Sequence, residues 1–309
     1  MPELPEVETV RRSLEANVIG RVIRATRISR FPLREPVPRG LDRRLAGARL
    51  TAARRHGKYL LLDLDRGLTL ISHLGMSGRW LFFPEPPAKR LPHVHVRIRF
   101  ADGSELWFQD PRRFGLFRPV RTAALGSDPS LAVLGRDPVA DPPTGAWLVE
   151  RAQGARLAVK GFLMDQRRLA GIGNIYASEI LHRAGVDPRL RADRVTADRW
   201  EAIARETLGV LNDAIQRSGT TFSMYRTLWN EPGAYGDQLL VYDRAGAPCR
   251  HCGTPIRRIV QGARSTFFCP RCQRAATQRG VRGSPGSRAA RTSRVRQRQT
   301  GRKGISSGS

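Results

Sequence analysis

The sequence predicts an α+β protein of several domains: an N-terminal helix with an antiparallel β-sandwich, a helical domain, and a C-terminal zinc-binding β-hairpin. The pattern changes twice along the 309 residues. Short apolar runs separated by turn residues dominate up to about residue 120, and apolar residues at helical spacing replace them afterwards. Four cysteines then cluster near the C-terminal end. A chain of this length is long enough to bury more than one core.

The first helix is predicted over residues 5–19. Val7, Val10 and Leu14 recur at helical spacing and therefore share one face. Gly20 follows as a natural stop, because glycine adopts the left-handed conformation that often ends a helix.

Seven β-type runs follow and predict a sandwich that completes an N-terminal domain at 1–120. The runs are RVIRATRI, YLLLDL, LTLISHL, RWLFF, HVHVRIRF, ELWFQD and LFRPV. Turn signals such as Asp65-Arg66-Gly67 separate them, and no helical pattern intervenes. Consecutive short strands of this kind favour antiparallel pairing.

A linker rich in Pro, Asp and Gly is predicted at 121–143, followed by a helical domain at 144–244. Four or five helices are expected there, and the clearest are GNIYASEILHRAG and ADRWEAIARETLGVLNDAIQRSG. The stretch 218–244 is interpreted as an irregular loop that leads into a strand. The Gly/Ser/Arg-rich segment 275–309 has no core-forming pattern and is predicted to be a disordered basic tail.

The four cysteines predict one structural Zn²⁺ in a finger at 245–274. Cys249, Cys252, Cys269 and Cys272 form the pattern C-x2-C-x16-C-x2-C. Each C-x2-C pair supplies two thiolates to a tetrahedral site. Two disulfides are the alternative, but a chain without signs of secretion favours zinc.

The charge of the chain indicates a polyanionic partner. The formal net charge is +27, and residues 279–309 carry nine Lys/Arg and no acid. Removing those nine charges leaves +18 for residues 1–278, which is typical of proteins that bind nucleic acid. No run approaches the roughly 20 apolar residues of a membrane span, and the N-terminus is acidic where a secretory signal is basic. We therefore expect a cytoplasmic protein.

The N-terminus carries a candidate nucleophile. Once Met1 is removed, Pro2 presents a free secondary amine, and an α-amino group has an ordinary pKa near ~8. A useful fraction is then unprotonated at neutral pH and can attack a sugar C1′ or a carbonyl to give an iminium. Glu3 brings a carboxyl group for proton transfer on the same segment.

Seven ordered blocks resemble the bacterial formamidopyrimidine-DNA glycosylases. They are MPELPEVETV, HGKYLLL, HLGMSGRW, DPRRFG, LMDQRRLAGIGNIYASEIL, GTTF and VYDRAGAPCRHCG…RSTFFCPRCQ, and they run from residue 1 to about 274. The resemblance implies a helix-two-turns-helix element in the helical domain. It also implies a monomeric, nucleoid-associated repair enzyme that acts on double-stranded DNA with oxidised bases or abasic sites.

The resemblance also implies catalytic roles. Pro2 would displace the damaged base, such as 8-oxoguanine or a formamidopyrimidine, and form a Schiff base with C1′. Glu3 would be the general acid/base, and Lys58 would meet the phosphate beside the lesion and assist elimination. Arg264 would bind the phosphates that flank the flipped nucleotide and support δ-elimination; a plain phosphate contact is the alternative for this arginine.

Nine further residues are expected to contact DNA. Met76, Arg112 and Phe114 resemble the family's inserted triad, which fills the space left by the flipped base; core packing is the alternative for Met76 and Phe114. Asn174 lies where a Gly-rich turn opens a helix whose backbone N–H groups can take a phosphate, or it is a simple N-cap. The other expected contacts are His73, His93, Arg113, Arg156 and Lys160.

Two other functions stay open. Endonuclease VIII-like enzymes use the same amine chemistry on oxidised pyrimidines, although HLGMSG and RRFG favour the purine branch and 218–240 is long enough to cap a flipped purine. A non-catalytic protein that binds damaged DNA is the alternative of another class. The sequence departs from the family pattern at LGRDPV, at VYDR and in the basic tail.

Overall fold

A computed structural model of the chain describes residues 1–89, 91–220 and 226–274. The predicted tail at 275–309 and part of the predicted capping loop, residues 221–225, lie outside the described residues. Within the described ranges, no helix combines the length and the apolar composition that crossing a membrane requires.

Helix α1 spans Leu4–Val18, which confirms the predicted first helix to within one residue at each end. The Glu6 carboxylate accepts a hydrogen bond from the Glu3 backbone N–H at 2.8 Å and so closes the first turn. Leu4 packs into the core of the helical domain, whereas Val7 packs into the core of the sandwich. Helix α1 therefore places the N-terminus of the chain between the two cores.

Two four-stranded antiparallel sheets form the predicted sandwich, in the orders β1-β6-β7-β5 and β2-β3-β4-β8. The strands are β1 Ile23–Ile28, β2 Leu50–His56, β3 Tyr59–Leu64, β4 Leu68–His73, β5 Arg79–Phe83, β6 Val94–Phe100, β7 Glu105–Gln109 and β8 Leu116–Arg121. Strand β2 and a short helix α2, Leu41–Leu45, are additional to the prediction. Leu50 and Ala53 are the only buried apolar residues of β2, so its sequence carries little alternation.

The helical domain contains α3 Gly145–Ala152, α4 Val159–Met164, α5 Asn174–Arg183 and α6 Ala197–Gln216, within the expected four or five helices. The strand predicted after the 218–244 loop is wrong for the described residues, where 226–256 holds a 3₁₀ turn and isolated bridges. The Glu179 carboxylate accepts hydrogen bonds from the backbone N–H groups of residues 240–242 at 2.7–3.0 Å. These N–H groups are therefore not free to join a strand ladder.

Strands β9, Arg257–Gln261, and β10, Arg264–Phe268, form the predicted hairpin between the cysteine pairs. Gly262 and Ala263 connect them with φ of +53° and +60°. A two-residue hairpin with both φ positive matches the twist of the strands. This turn places Arg264 at its exposed end.

A buried charge cluster joins the sandwich to the helical domain. Arg55 on β2 donates hydrogen bonds to Glu8 on α1 and to Asp137, and its side chain is 4% exposed. The Asp137 carboxylate also accepts from the Gly57 N–H at 2.8 Å. Asp137 of the LGRDPV segment therefore fixes the β2–β3 turn against the segment leading into the helical domain.

Candidate active site

The carboxylate of Glu3 is bound at the N-terminus of α5. It accepts hydrogen bonds from the backbone N–H groups of Gly173 at 2.9 Å, Ile175 at 3.0 Å and Tyr176 at 3.3 Å. Glu3 is 2% exposed, and the helix N-terminus favours negative charge. The expectation that these N–H groups take a phosphate is therefore wrong for these three, because a carboxylate of the same chain occupies them.

Gly173 makes this arrangement possible. A Cβ built on Gly173 would lie 2.3 Å from Glu3 Cδ and 2.4 Å from Glu3 Oε1, far inside contact distance. The same glycine is the N-cap of α5, with φ of −127°. The absence of a side chain, rather than an unusual backbone conformation, is what the site requires here.

Pro2 is buried next to Glu3, and its nitrogen is in a peptide bond with Met1. An amide nitrogen is not nucleophilic, so Pro2 acquires the properties of an amine only when Met1 is absent. Met1 is 41% exposed and lines a cavity of about 400 Å³.

Two of the four predicted catalytic residues, Lys58 and Arg264, line this cavity. Its lining residues are Met1, Arg34, Lys58, Tyr59, His73, Ser130, Val133, Leu134, Met164, Gln166, Ile172, Gly173 and Arg264. Met1, the neighbour of Pro2, and Gly173, a hydrogen-bond donor to Glu3, thus line the same cavity as two cationic side chains from different domains.

Lys58 reaches the cavity from the turn between β2 and β3. Gly57 has φ of +56° and precedes Lys58, an arrangement that suits a two-residue hairpin. The ammonium lies 3.4 Å from the Ile172 carbonyl and the residue is 7% exposed. Burial, reinforced by Arg264, lowers the pKa of Lys58, although the carboxylate of Glu3 acts in the opposite direction.

Arg264 is exposed, and among the described residues no hydrogen bond or ion pair joins its guanidinium to another group.

His73 is buried, and its Nδ1 accepts a hydrogen bond from the Gly75 N–H at 2.9 Å. Burial and the nearby charges of Arg34 and Lys58 lower the pKa of His73 to about 3. A neutral ring whose Nδ1 accepts carries its proton on Nε2, which is thereby a donor.

Met76 and Phe114 are 42% and 44% exposed, unlike the apolar residues of either core. The Arg112 guanidinium lies 4.7 Å from the centre of the Phe114 ring. The carboxylate of Asp110 joins the two turns, since it accepts from the Ser77 hydroxyl and from the Gly115 N–H. The three predicted insertion residues therefore project from two turns that are fixed to each other.

His93 and Arg113 lie next to these turns. Both are exposed and adopt positive φ, +61° for His93 and +57° for Arg113. The His93 carbonyl accepts a hydrogen bond from the Asp110 N–H at 2.9 Å. Both residues are thus held near the carboxylate that organises Arg112 and Phe114.

Lys160 and Asn174 connect the helical domain to the finger. The Lys160 ammonium donates to Asn174 Oδ1 at 2.6 Å, to the Ser265 carbonyl at 3.0 Å and to Thr266 Oγ1 at 2.7 Å. The Asn174 amide donates to the same Ser265 carbonyl at 2.9 Å. Burial lowers the pKa of Lys160 to about 8, although Glu3 opposes this effect. Asn174 is the first residue of α5 rather than its cap.

Arg156 is not brought to the cavity. It is exposed and lies near Asp193, whose pKa is lowered mainly by Arg191 and to a smaller extent by Arg156.

The sequence analysis did not predict several residues that the structure places in or beside the site. Arg34 lines the cavity, and the Glu6 carboxylate accepts from the Tyr176 hydroxyl and from the Thr220 N–H. Burial raises the pKa of Glu6.

The four cysteine sulfurs lie close together at one end of the finger hairpin. All four Sγ atoms lie within 4.8 Å of one another, with Cys249 3.9 Å from Cys272 and Cys252 3.5 Å from Cys269. Tetrahedral zinc with Zn–S bonds of about 2.3 Å separates its sulfurs by roughly 3.8 Å. The four thiolates therefore fit one Zn²⁺, and because all four positions are protein ligands the zinc is structural.

Three family models match the chain in order. The formamidopyrimidine-DNA glycosylase N-terminal domain matches residues 1–117, the H2TH domain of the same enzymes matches 134–226, and a zinc finger found in FPG and IleRS matches 246–275. The chain belongs to the formamidopyrimidine-DNA glycosylase family. Its fold, with sandwich, H2TH helices and finger, is the fold of that family.

Curated and solved members of the family are similar over nearly the whole described chain. The formamidopyrimidine-DNA glycosylase of Bordetella pertussis is 45% identical and that of Methylococcus capsulatus 46% identical, each over 89% of this chain and 100% of the relative. The crystal structure of the MutM (Fpg) protein from Thermus thermophilus matches with a TM-score of 0.78 at 36% identity, covering 88% of this chain and 98% of that one.

A complex between Lactococcus lactis Fpg and DNA containing an abasic site matches with a TM-score of 0.81 at 30% identity. That match covers 88% of this chain and 100% of the Lactococcus chain. A structure of MutM with DNA containing carbocyclic 8-oxo-G matches with a TM-score of 0.80 at 30% identity.

Proposed function

We propose that the protein is a monomeric, bifunctional DNA glycosylase/AP lyase of base excision repair that removes oxidised purines, 8-oxoguanine and formamidopyrimidines among them. The observation that carries this proposal is the common location of the Pro2–Glu3 segment, Lys58 and Arg264 around one cavity. Curated relatives carry the name formamidopyrimidine-DNA glycosylase, and solved relatives are bound to DNA with an abasic site or an 8-oxo-G analogue. We place the activity on nucleoid DNA in the cytoplasm.

In the proposed reaction, the free amine of Pro2 attacks C1′ of the damaged nucleotide. The C1′–N bond to the base breaks as the new C1′–N bond to Pro2 forms, and the departing base takes up a proton while the Pro2 nitrogen loses one. The C1′–O4′ bond then breaks, and the sugar ring opens to an iminium. Glu3, in its helix-terminal site, delivers a proton to the sugar oxygen and later helps to remove one from C2′. The iminium accepts the electron pair left at C2′, and the 3′ phosphate leaves as a C2′–C3′ double bond forms. Loss of a second proton, from C4′ of the resulting conjugated iminium, then expels the 5′ phosphate.

Cationic groups on both sides of the cavity favour the phosphates of the substrate. The Lys58 ammonium is supplied by the sandwich and the Arg264 guanidinium by the finger, so both domains take part in each catalytic event. We propose that His73 donates from Nε2 to a phosphate as a neutral group. Burial of its ring makes a neutral donor less costly than a charged one.

The exposed Met76, Arg112 and Phe114 fit the proposed role of filling the duplex after base flipping. An aromatic ring and a flexible thioether can enter between bases, and a guanidinium can hydrogen-bond to the orphaned base. His93 and Arg113 are proposed contacts on the same side. Asn174 and Lys160 are proposed to act near the phosphates through their shared position between α5 and β10, and Arg156 remains a proposed contact outside the cavity.

The test compares two duplexes of the same sequence, one with 8-oxoguanine opposite cytosine and one with an oxidised pyrimidine. The proposal predicts faster base loss from the first duplex, with cleavage products that carry phosphate at both ends of the gap. Preference for the pyrimidine duplex would support the endonuclease VIII-like alternative. Tight binding to both without base loss would support a non-catalytic damage-binding protein.

A further inference from the structure

His182 lies against the zinc site although it is outside the cysteine pattern. It belongs to the last turn of α5, and its Nε2 is 3.6 Å from the Sγ of Cys249. His182 is 7% exposed and Cys249 is 3% exposed, so the contact is shielded from water. The set of mutually close metal donors contains the four sulfurs and not this imidazole.

The surroundings of the ring decide which nitrogen carries the proton. Among the described residues, His182 Nδ1 is buried and has no hydrogen-bond partner. A proton on Nδ1 would leave a buried N–H donor unsatisfied, which is costlier than leaving an acceptor unsatisfied. The proton therefore belongs on Nε2, the nitrogen that faces Cys249.

We propose that His182 donates an N–H···S hydrogen bond from Nε2 to the zinc-bound thiolate of Cys249 and thereby positions and stabilises the metal centre. Four thiolates around one Zn²⁺ leave excess negative charge on sulfur. A donor at one sulfur reduces that charge and opposes protonation of the thiolate, the first step of zinc loss. Groups that hydrogen-bond to metal ligands typically contribute about 10- to 100-fold to metal affinity.

The position of this contact gives it a further consequence. Helix α5 has ten residues, a length of roughly 15 Å. Its first turn binds the carboxylate of Glu3, and its last turn contacts the zinc ligand Cys249. One rigid helix thus links the position of the catalytic carboxylate to the position of the finger that carries Arg264.

The test uses the zinc-loaded full-length protein and two variants. His182→Phe retains a ring of similar size without a donor, and His182→Gln retains a donor close to the position of Nε2. Zinc transfer to a coloured chelator is measured after dilution into excess chelator. We expect transfer from His182→Phe to be at least about ten times faster than from the wild type, with His182→Gln close to the wild-type rate.

A second measurement uses the wild-type protein and therefore tests the proposal even if the His182→Phe variant does not fold. In wild-type protein whose zinc has been exchanged for cadmium-113, we expect a through-bond coupling between the His182 Nε2 proton and the metal. Such a coupling requires the N–H···S–Cd path and is unaffected by simple packing. Absence of this coupling, or a His182→Phe variant that releases zinc at the wild-type rate, would overturn the proposal.

Discussion

The substitution Gly173→Ala tests whether the carboxylate of Glu3 must occupy its site at the N-terminus of α5. The new Cβ would lie 2.3 Å from Glu3 Cδ, so the carboxyl group has to move by roughly 1 Å. The backbone at 173 is extended and accommodates alanine without strain. The substitution therefore displaces the carboxyl group for which we propose proton transfer and leaves its chemical identity unchanged.

The expected magnitude follows from the role of that group. A misplacement of about 1 Å costs on the order of 100-fold in rate, which corresponds to about 2.7 kcal/mol of activation free energy. Single-turnover excision of 8-oxoguanine should slow by that factor, while the affinity for an abasic-site duplex stays within about threefold. Loss of charge-assisted hydrogen bonds to Glu3 should lower the free energy of unfolding by about 1.5–3 kcal/mol.

Two controls make the outcome decisive. Gly161→Ala places a Cβ in helix α4 with only Leu157 Cδ1 nearby, at 3.5 Å, so excision should be unchanged. In the double variant with Glu3→Gln, Gly173→Ala should add little further loss, because both changes act on one group. An unimpaired Gly173→Ala enzyme, or multiplicative losses in the double variant, would refute the assigned role of Glu3.

Three further predictions concern other parts of the molecule. Asp137→Asn removes one of the two carboxylates that bind the buried Arg55 side chain and leaves Glu8 as the other, so it should lower the unfolding free energy by about 1.5–3 kcal/mol in urea titrations. Burial alone would raise the pKa of Asp137, but Arg55 lowers it below the ordinary 3.8. The ionised Asp137 therefore contributes its full stabilisation above pH 3.8 and loses it as the pH falls through the lowered pKa of the folded state. The unfolding free energy of Asp137→Asn should accordingly fall less steeply with acid than that of the wild type. Ala263→Gly removes the strain of an alanine in the left-handed conformation, although glycine loses more backbone entropy on folding. The net gain should be about 0.5 kcal/mol in the free energy of opening of the finger hairpin, measured by hydrogen exchange. Phe114→Ala should weaken binding to an abasic-site duplex by about 1–3 kcal/mol in anisotropy titrations, with thermal stability unchanged because the ring is exposed.

The fold was predictable wherever local pattern and burial agree. The apolar residues of α1 and the alternating apolar residues of β6 are readable in the chain because their side chains pack into one large core. They are Val7, Val10, Leu14 and Val18 in α1, and Val96, Ile98 and Phe100 in β6. Strand β2 was not predicted because charged residues make up much of it. One of them, Arg55, has a buried side chain that forms an ion pair rather than apolar contacts. A strand whose buried side chain is charged cannot be detected from the pattern of apolar residues.

The sequence predicts candidate residues for the site but not the contacts between them. Pro2 and Glu3 were identified from the N-terminal motif, but the partners of Glu3 lie 170 to 173 positions away at the start of α5. The GIGN turn suggested a binding site for a phosphate, and only the folded chain shows that Glu3 occupies its N–H groups. The contact between His182 and Cys249 could not be predicted from the residues around either position, because it arises from packing between α5 and the finger.

The most direct test of the central claim is borohydride trapping on an 8-oxoguanine duplex, with peptide mapping of the adduct. Two protein samples are compared, one whose N-terminus is confirmed as Pro2 and one that retains Met1. If Pro2 is the nucleophile, a covalent adduct forms on the Pro2 peptide in the first sample and not in the second, since the amide nitrogen in the second has no nucleophilic lone pair. An adduct on Lys58 or another lysine, or equal trapping with Met1 in place, would contradict it.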